Sequence, residues 1–399
     1  MLKDKTIVLG VTGGIAVYKA VELLRLLTKA GADVHVIMTK SAMEFVSPLT
    51  FQTLSGNPVH TELFNMITER EIGHISLAER ADLFVIAPAT ANVIGKLANG
   101  IADDLLSTTV MATKAPVLIA PAMNVNMYEN RIYQRNEATL KKYGYLFVEP
   151  AHGWLACNVV GKGKLQEPSI IFEEAINALT DKDMLGVKLL VTAGPTREEI
   201  DPVRYITNHS SGKMGYAIAR MARLRGADVT LVSGPVSLPV PHGVRVVSVS
   251  SAKEMYNATI SRAAESDIII KAAAVADYKP LQRVEQKIKK NDEETTISLL
   301  KTDDILAELG RIKRGGQVLV GFAAETENLD ANALAKLRKK NLDMIVANDV
   351  TLENAGFNTD TNIVRFITKG GTAEELPLMS KEKVAARILD QAMTIRSAA

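Results

Sequence analysis

The chain carries one cysteine, Cys157, among its 399 residues. A single thiol cannot close an internal disulfide or build a multi-cysteine zinc framework, and it suits a reducing compartment. An excess of one charge is also missing. The 47 basic and 45 acidic side chains leave a formal net charge of +2, so no broad polyanion-binding surface is expected and nucleic acid is not an expected partner. No apolar run approaches the roughly 20 residues that span a bilayer. The opening Met1-Leu-Lys-Asp-Lys-Thr6 passes straight into the strand pattern Ile7-Val-Leu-Gly10, without the features of a signal peptide. The expectation from these absences is a cytoplasmic protein with no membrane partner.

What is present is a duplicated pattern. At roughly 150 residues per domain the length suits two or three domains. Each half opens with a lysine-led apolar strand and a Gly-rich turn, Thr6-Ile-Val-Leu-Gly-Val-Thr-Gly-Gly14 and Lys188-Leu-Leu-Val-Thr-Ala-Gly-Pro-Thr196. An amphipathic helix ending at Gly-Ala-Asp follows in both, then a second strand, Val34-His-Val-Ile-Met38 and Val229-Thr-Leu-Val-Ser233. Each later has an acidic residue, an apolar strand and a small-residue turn, Asp82-Leu-Phe-Val-Ile-Ala-Pro-Ala-Thr-Ala-Asn92 and Asp267-Ile-Ile-Ile-Lys-Ala-Ala-Ala-Val-Ala-Asp277. Short apolar runs alternating with helical patterns indicate an α/β protein with two tandem Rossmann-like, doubly wound parallel sheets. The expected domains are 1–180 and 187–399, joined by a polar linker at 180–186. Residues 287–294 read as a charged hairpin or loop, and 396–399 as frayed.

In the first half, Gly10-Val-Thr-Gly-Gly-Ile15 sits between strand and helix, where glycines let backbone approach a phosphate and the helix start favours its charge. The second strand ends at Met38-Thr-Lys-Ser41 with no acid to grip a dinucleotide ribose, and no full G-x-G-x-x-G is present. Thr39 and Ser41 suit a mononucleotide phosphate instead. Thr90, Asn92 and Ser107 add small polar groups at later strand ends, a surface on which a flat isoalloxazine ring could lie. The plainer reading of these groups is turn and cap chemistry. His74 lies just before an expected helix. Asn124 follows a strand in Pro121-Ala-Met-Asn124, and Cys157 precedes Gly161-Lys-Gly-Lys164.

These motifs, in this order over the first 180 residues, resemble the flavin-dependent cysteine decarboxylases that act on phosphopantothenoylcysteine. Four positions depart from that pattern: Asn158 stands where the family has Gly, Lys164-Leu165 where it has Arg-Met, and Tyr128 where it has Trp. The resemblance implies FMN held by Gly13, Gly14, Ile15, Thr39, Ser41, Thr90, Asn92 and Ser107. It implies His74 as the base assisting thiol oxidation, Asn124 holding the departing carboxylate, and Cys157 as the proton donor to the enethiolate.

The second half contains Gly194-Pro-Thr-Arg-Glu-Glu199, Asp201-Pro-Val-Arg-Tyr-Ile-Thr-Asn-His-Ser-Ser-Gly-Lys-Met-Gly215, Ala272-Ala-Ala-Val-Ala-Asp277, Lys287-Ile-Lys-Lys290, Gly321-Phe-Ala-Ala-Glu-Thr326 and Asn348-Asp-Val350. Its hydroxyls, amides and glycines can present donors to a phosphate or acyl phosphate. This half resembles the phosphopantothenate–cysteine ligases. The resemblance implies CTP and Mg2+, with the metal carried by the nucleotide phosphates, and an acyl-cytidylate that cysteine's amine attacks. Asn208 would hold its oxygens and Lys287 would neutralise developing charge. The CTP site would comprise Ala273, Asp277, Lys287, the turn Asp303-Asp-Ile-Leu306, Phe322, and the helix-sharing pair Lys336 and Lys340. Arg204 is expected at a subunit interface. A solvated helix or hairpin face is the plainer reading of the lysines, and a helix cap that of Asp277.

Both resemblances together imply a two-step enzyme of coenzyme A synthesis with the substrates 4′-phosphopantothenate, cysteine and CTP. They also imply a homo-oligomer, a dodecamer of decarboxylase trimers linked by ligase dimers. A nicotinamide-dependent oxidoreductase with duplicated nucleotide folds is the alternative, and the missing ribose acid counts against it.

Overall fold

The computed structural model describes residues 2–63, 73–155, 159–289, 296–325, 329–349, 356, 358–371 and 373–398. The chain divides into two compact units, Met1–Thr180 and Asp181–Ala399.

The first unit is built on β1 (Thr6–Val11), β2 (Asp33–Met38), β3 (Val59–His60), β4 (Leu83–Ala89), β5 (Val117–Pro121) and β6 (Leu146–Phe147). They form one parallel sheet in the order β3-β2-β1-β4-β5-β6. Strand β4 is buried at all seven positions, as a strand covered by helices on both faces must be. Helix Val17–Lys29 turns Val17, Ala20, Leu23, Leu24 and Leu27 inward, the spacing of one helical face. Strand order reverses between β1 and β4, so a crevice opens at their carboxyl ends. A hairpin of β7 (Ala151–Trp154) and β8 (Val160–Lys164) follows.

The second unit contains β9 (Lys188–Ala193), β10 (Arg197–Glu199), β11 (Tyr205–Thr207), β12 (Asp228–Ser233), β13 (Arg245–Ser248), β14 (Ile268–Lys271), β15 (Tyr278–Pro280), β16 (Leu299–Lys301), β17 (Val318–Glu325), β18 (Met344–Asp349), β19 (Thr361–Thr368) and β20 (Ala373–Ser380). Its main sheet runs β13-β12-β9-β14-β17-β18-β19-β20. The first six strands are parallel and repeat the strand order of the first unit. The last two are antiparallel, an extension that the duplicated sequence pattern did not announce. Alternate side chains divide between two cores: Leu189, Val191, Ile268, Ile270, Val318 and Val320 on one face, Leu190, Ile269, Leu319 and Ile345 on the other. Two small hairpins, β10–β11 and β15–β16, stand outside this sheet.

The expected linker at 180–186 is not a slack tether. Met184 is fully buried in the second unit's core, Arg225 grips Asp183, and Lys182 Nζ donates to Leu224 O at 2.6 Å. Among the described residues no helix is long and apolar enough to cross a membrane.

Candidate active sites

The first unit's crevice has two adjoining lobes. A polar lobe of about 790 Å³ is lined by Thr12, Gly13, Thr39, Ser41, Thr90, Asn92 and Asp103 to Leu106. A more apolar lobe of about 620 Å³ is lined by Gly13 to Ala16, Pro88, Thr90, Met123, Asn124, Met127, Trp154 and Leu155. Gly13 belongs to both. A Cβ on it would fall 2.3 Å from Ser41 Cβ and 2.7 Å from Ser41's carbonyl carbon, so only glycine fits where the β1 turn meets the end of β2. Thr12 fixes this turn: its hydroxyl donates to Pro88 O at 2.7 Å and accepts the Thr90 N–H at 2.9 Å.

The hydroxyls expected at a flavin divide between walls and caps. Thr39 accepts from Ala42 N–H and Thr90 from Val93 N–H, each capping a helix, while both still line the crevice. Ser107 is placed differently from Thr39 and Thr90. Its hydroxyl closes a capping box with Asp104 at the start of helix Leu105–Ala112, and it is buried behind the lobe walls that Asp104, Leu105 and Leu106 form. That hydroxyl accepts the Asp104 N–H at 3.2 Å, while Asp104 Oδ1 accepts the Ser107 N–H at 2.8 Å.

His74 lies within helix Gly73–Arg80 rather than before it. Among the described residues its Nδ1 is buried without a hydrogen-bond partner, and it does not line either lobe. Asn124 caps helix Val125–Glu129 through Oδ1, 2.8 Å from Asn126 N, and lines the apolar lobe. The β7–β8 hairpin is held close by: Met123 N–H donates to Gly163 O at 2.9 Å, and a Cβ on Gly163 (φ +139°) would fall 2.5 Å from Met123 O. Tyr128 is buried against Tyr133, with ring centroids 5.4 Å apart. Lys162 reaches over the Tyr128 ring and pairs with Glu149 at 2.7 Å, which ties β8 to the Asn124 helix. Cys157 and Asn158 lie outside the described residues.

In the second unit, the turn after β14 is laced to the turn after β9. Ala273 N–H donates to Thr192 Oγ1 at 3.2 Å, Ala276 N–H to Thr196 Oγ1 at 3.0 Å and Ala274 N–H to Gly194 O at 3.0 Å. Two cleft lobes meet at this turn. One, about 520 Å³, is lined by Lys271, Asp277, Lys301, Thr302, the 303–306 turn, Lys336 and Lys340. The other, about 450 Å³, is lined by 208–215, the 271–275 stretch, Asp277, Phe322, Lys336 and Lys381.

Ala273, Asp277, the 303–306 turn, Phe322, Lys336, Lys340 and Asn208 are thus gathered in one cleft. Asn208 Nδ2 donates to Val275 O at 3.0 Å. Asp304 caps helix Ile305–Ile312 and pairs with Lys340, whereas Lys336 donates to Phe322 O at 2.9 Å. Ile305 and Leu306 side chains are buried, which leaves backbone for any ligand. Lys287 is exposed and lies outside the lining of both lobes.

Arg204, expected at a subunit interface, makes contacts within the chain. Its guanidinium is spent within the chain, on Asp201 Oδ2 (Nε at 2.9 Å, Nη2 at 2.5 Å) and on Ile288 O (2.8 Å). Asp201 also accepts the N–H groups of Val203, Arg204 and Ile288. The Arg204 guanidinium and these amides hold the Asp201 carboxyl well below the usual carboxylate range. The clasp therefore fixes the segment that bears Lys287.

The sequence reading missed Thr12, Lys271, Lys301 and Lys381. Lys271 carried a legible signal, a charge closing the apolar run Ile268-Ile-Ile. The signal for Lys381 was absent, because its burial at 6% exposure depends on the antiparallel extension.

Two family models match the chain: Flavoprotein over residues 1–180, and DNA/pantothenate metabolism flavoprotein C-terminal domain over 184–395. The coenzyme A biosynthesis bifunctional protein CoaBC of Bacillus subtilis (strain 168) is 53% identical over 98% of this chain and 97% of its own length. The chain belongs to the coenzyme A biosynthesis bifunctional protein family. The protein of the same name from Vibrio vulnificus (strain YJ016) is 48% identical over 99% of this chain and 98% of its own. A crystal structure of the C-terminal domain of such a protein is 46% identical, covering 54% of this chain and all of that one, with a TM-score of 0.47. The chain is a bifunctional enzyme of coenzyme A biosynthesis that joins a ligase to a decarboxylase on an FMN-binding flavoprotein fold.

Proposed function

We propose that the second unit joins cysteine to 4′-phosphopantothenate with CTP, and that the first unit then decarboxylates the product to 4′-phosphopantetheine. The observation that carries the first-unit assignment is the Gly13–Ser41 contact, a backbone cradle that any Cβ would fill, beside an apolar lobe ending at Asn124. These residues fit a flavin mononucleotide: hydroxyls and helix starts for its phosphate, an apolar wall for its ring. Gly13, Gly14, Ile15, Thr39, Ser41, Thr90 and Asn92 would hold it, with Ser107 supporting the wall. FMN, when bound, supplies an electron sink by accepting and later returning a hydride. Asn124 holds the cysteinyl carboxylate until it leaves, His74 acts as the base at the thiol, and Cys157 protonates the enethiolate. That His74 lines neither lobe supports a site completed by a neighbouring protomer.

In the ligase cleft, Asp277, the Ala273 backbone and Phe322 take the base and ribose. Lys336, Lys340 and the Asp303–Leu306 turn take the triphosphate. Mg2+ arrives on the nucleotide phosphates. The carboxylate attacks the α-phosphorus and pyrophosphate leaves; the cysteine amine then attacks the acyl carbon and CMP leaves. Asn208 holds the acyl-cytidylate oxygens and Lys287, delivered by the Arg204 clasp, offsets charge there. The protein works in the cytoplasm as a homo-oligomer, a dodecamer built from decarboxylase trimers and ligase dimers.

The experiment is separate assay of the two half-reactions. CTP-dependent pyrophosphate release requiring 4′-phosphopantothenate is expected from one, and CO2 release from phosphopantothenoylcysteine by a yellow protein from the other. NADH consumption without either product would favour the oxidoreductase alternative.

A further inference from the structure

The ligase cleft holds a lysine that none of these roles uses. Lys271 closes β14, whose other side chains, Ile268, Ile269 and Ile270, are buried. Among the described residues its Nζ has one hydrogen-bond acceptor, Ala273 O at 3.0 Å, and no ion pair. An ammonium set against an apolar strand without a carboxylate in contact is costly, and such a group persists where a ligand supplies the missing charge.

Its position indicates which ligand. Lys271 lines both lobes of the cleft, together with Val275, Asp277 and Lys336. On the reading above, base and ribose lie in the lobe of Ala273 and Phe322, beside the Asn208 that holds the acyl-cytidylate, and the triphosphate lies in the lobe of Lys340 and the 303–306 turn, so the α-phosphate that the carboxylate attacks falls at the seam between them. We propose that Lys271 is the cation at that seam, holding the phosphate oxygens of the mixed anhydride while the carboxylate–phosphorus bond forms and the bond to pyrophosphate breaks. Pyrophosphate carries away the electron pair, and Lys271 keeps its proton throughout.

Of the charged groups in the cleft, Lys336 and Lys340 oppose a charge on Lys271 and Asp277 favours it; Lys301, Asp303 and Asp304 line the same lobe, and Lys213 and Lys381 the other. Burial foremost, and then Lys336, push Lys271 down to about 8, partly offset by Asp277. An anion in the seam reverses this. Loading favours the charged form, so nucleotide binding is expected to take up protons above pH 8. Affinity accordingly falls as pH rises above 8.

The test uses the full-length, flavin-loaded protein titrated with Mg–CTP at pH 8.5 in two buffers of different ionisation enthalpy. Pyrophosphate release is measured in parallel. The parent is expected to take up protons. Lys271→Met is expected to lose most of that uptake, bind CTP about tenfold more weakly at pH 7 and release pyrophosphate about a hundredfold more slowly. Lys271→Arg, charged at every pH, is expected to bind without uptake and to lose the pH dependence. Lys271→Gln serves if the Met variant does not fold. A neutral variant that takes up the parent's protons and releases pyrophosphate at the parent's rate overturns the assignment. Failure of the parent itself to bind CTP overturns instead the reading of the cleft on which it rests.

Discussion

Gly13 meets Ser41 so closely that a Cβ on the glycine would lie 2.3 Å from the serine's Cβ. Neither partner can retreat without moving the end of β1 or the helix start after β2. Gly13→Ala is expected to lower FMN retention at least tenfold while leaving CTP-dependent pyrophosphate release intact. Absorbance near 450 nm per chain after gel filtration checks this, and a fully yellow variant would remove Gly13 from the cradle.

Cys157→Ser tests the proton donor. The variant is expected to release CO2 and stop at a product two hydrogens lighter than 4′-phosphopantetheine, since the enethiolate lacks its acid. Mass spectrometry of the product decides, and fully reduced product at the parent's rate would reject the role.

The clasp of Asp201 and Arg204 on Ile288 predicts a selective loss. Asp201→Asn removes the charge that Arg204 and three amides share, so the Lys287 segment loses its anchor. Ligation is expected to fall about tenfold to a hundredfold, as does Lys287→Gln, while decarboxylation of supplied phosphopantothenoylcysteine stays at the parent's rate. Equal ligation by both variants and the parent would show that neither the clasp nor the lysine serves the reaction.

Lys381 predicts a pH dependence of stability. Burial, and then Lys213, lower it from 10.5 to about 8, with Asp360 opposing. Between those values the unfolded chain holds a proton that the folded unit has released, so stability rises with pH across that window. Lys381→Met is expected to flatten the rise in the urea midpoint between about pH 8 and 10. An unchanged slope would assign the rise to other groups.

Much of this was legible from residues alone. Continuous apolar strands followed by Gly-rich turns announced parallel sheets and placed the candidate residues at strand ends, because burial on both faces erases alternation. The FMN-binding flavoprotein fold and the ligase partner bear out the resemblance. What escaped were consequences of long-range contact. Ser107 reads as a small polar group in any sequence, and only its capping box with Asp104 shows the hydroxyl consumed. Arg204 reads as an interface residue, and no motif announces its contact with Ile288, 84 residues along the chain. The 180–186 segment is polar enough to suggest a linker, yet Met184 enters the core that Arg225 helps to close.

The central claim is that one chain makes an amide in one unit and removes the adjacent carboxylate in the other. Incubation of the flavin-loaded protein with 4′-phosphopantothenate, cysteine, CTP and Mg2+, with products read by mass, tests it most directly. The expected result is 4′-phosphopantetheine with one CMP, one pyrophosphate and one CO2 per product. Unchanged 4′-phosphopantothenate alongside intact CTP would contradict it.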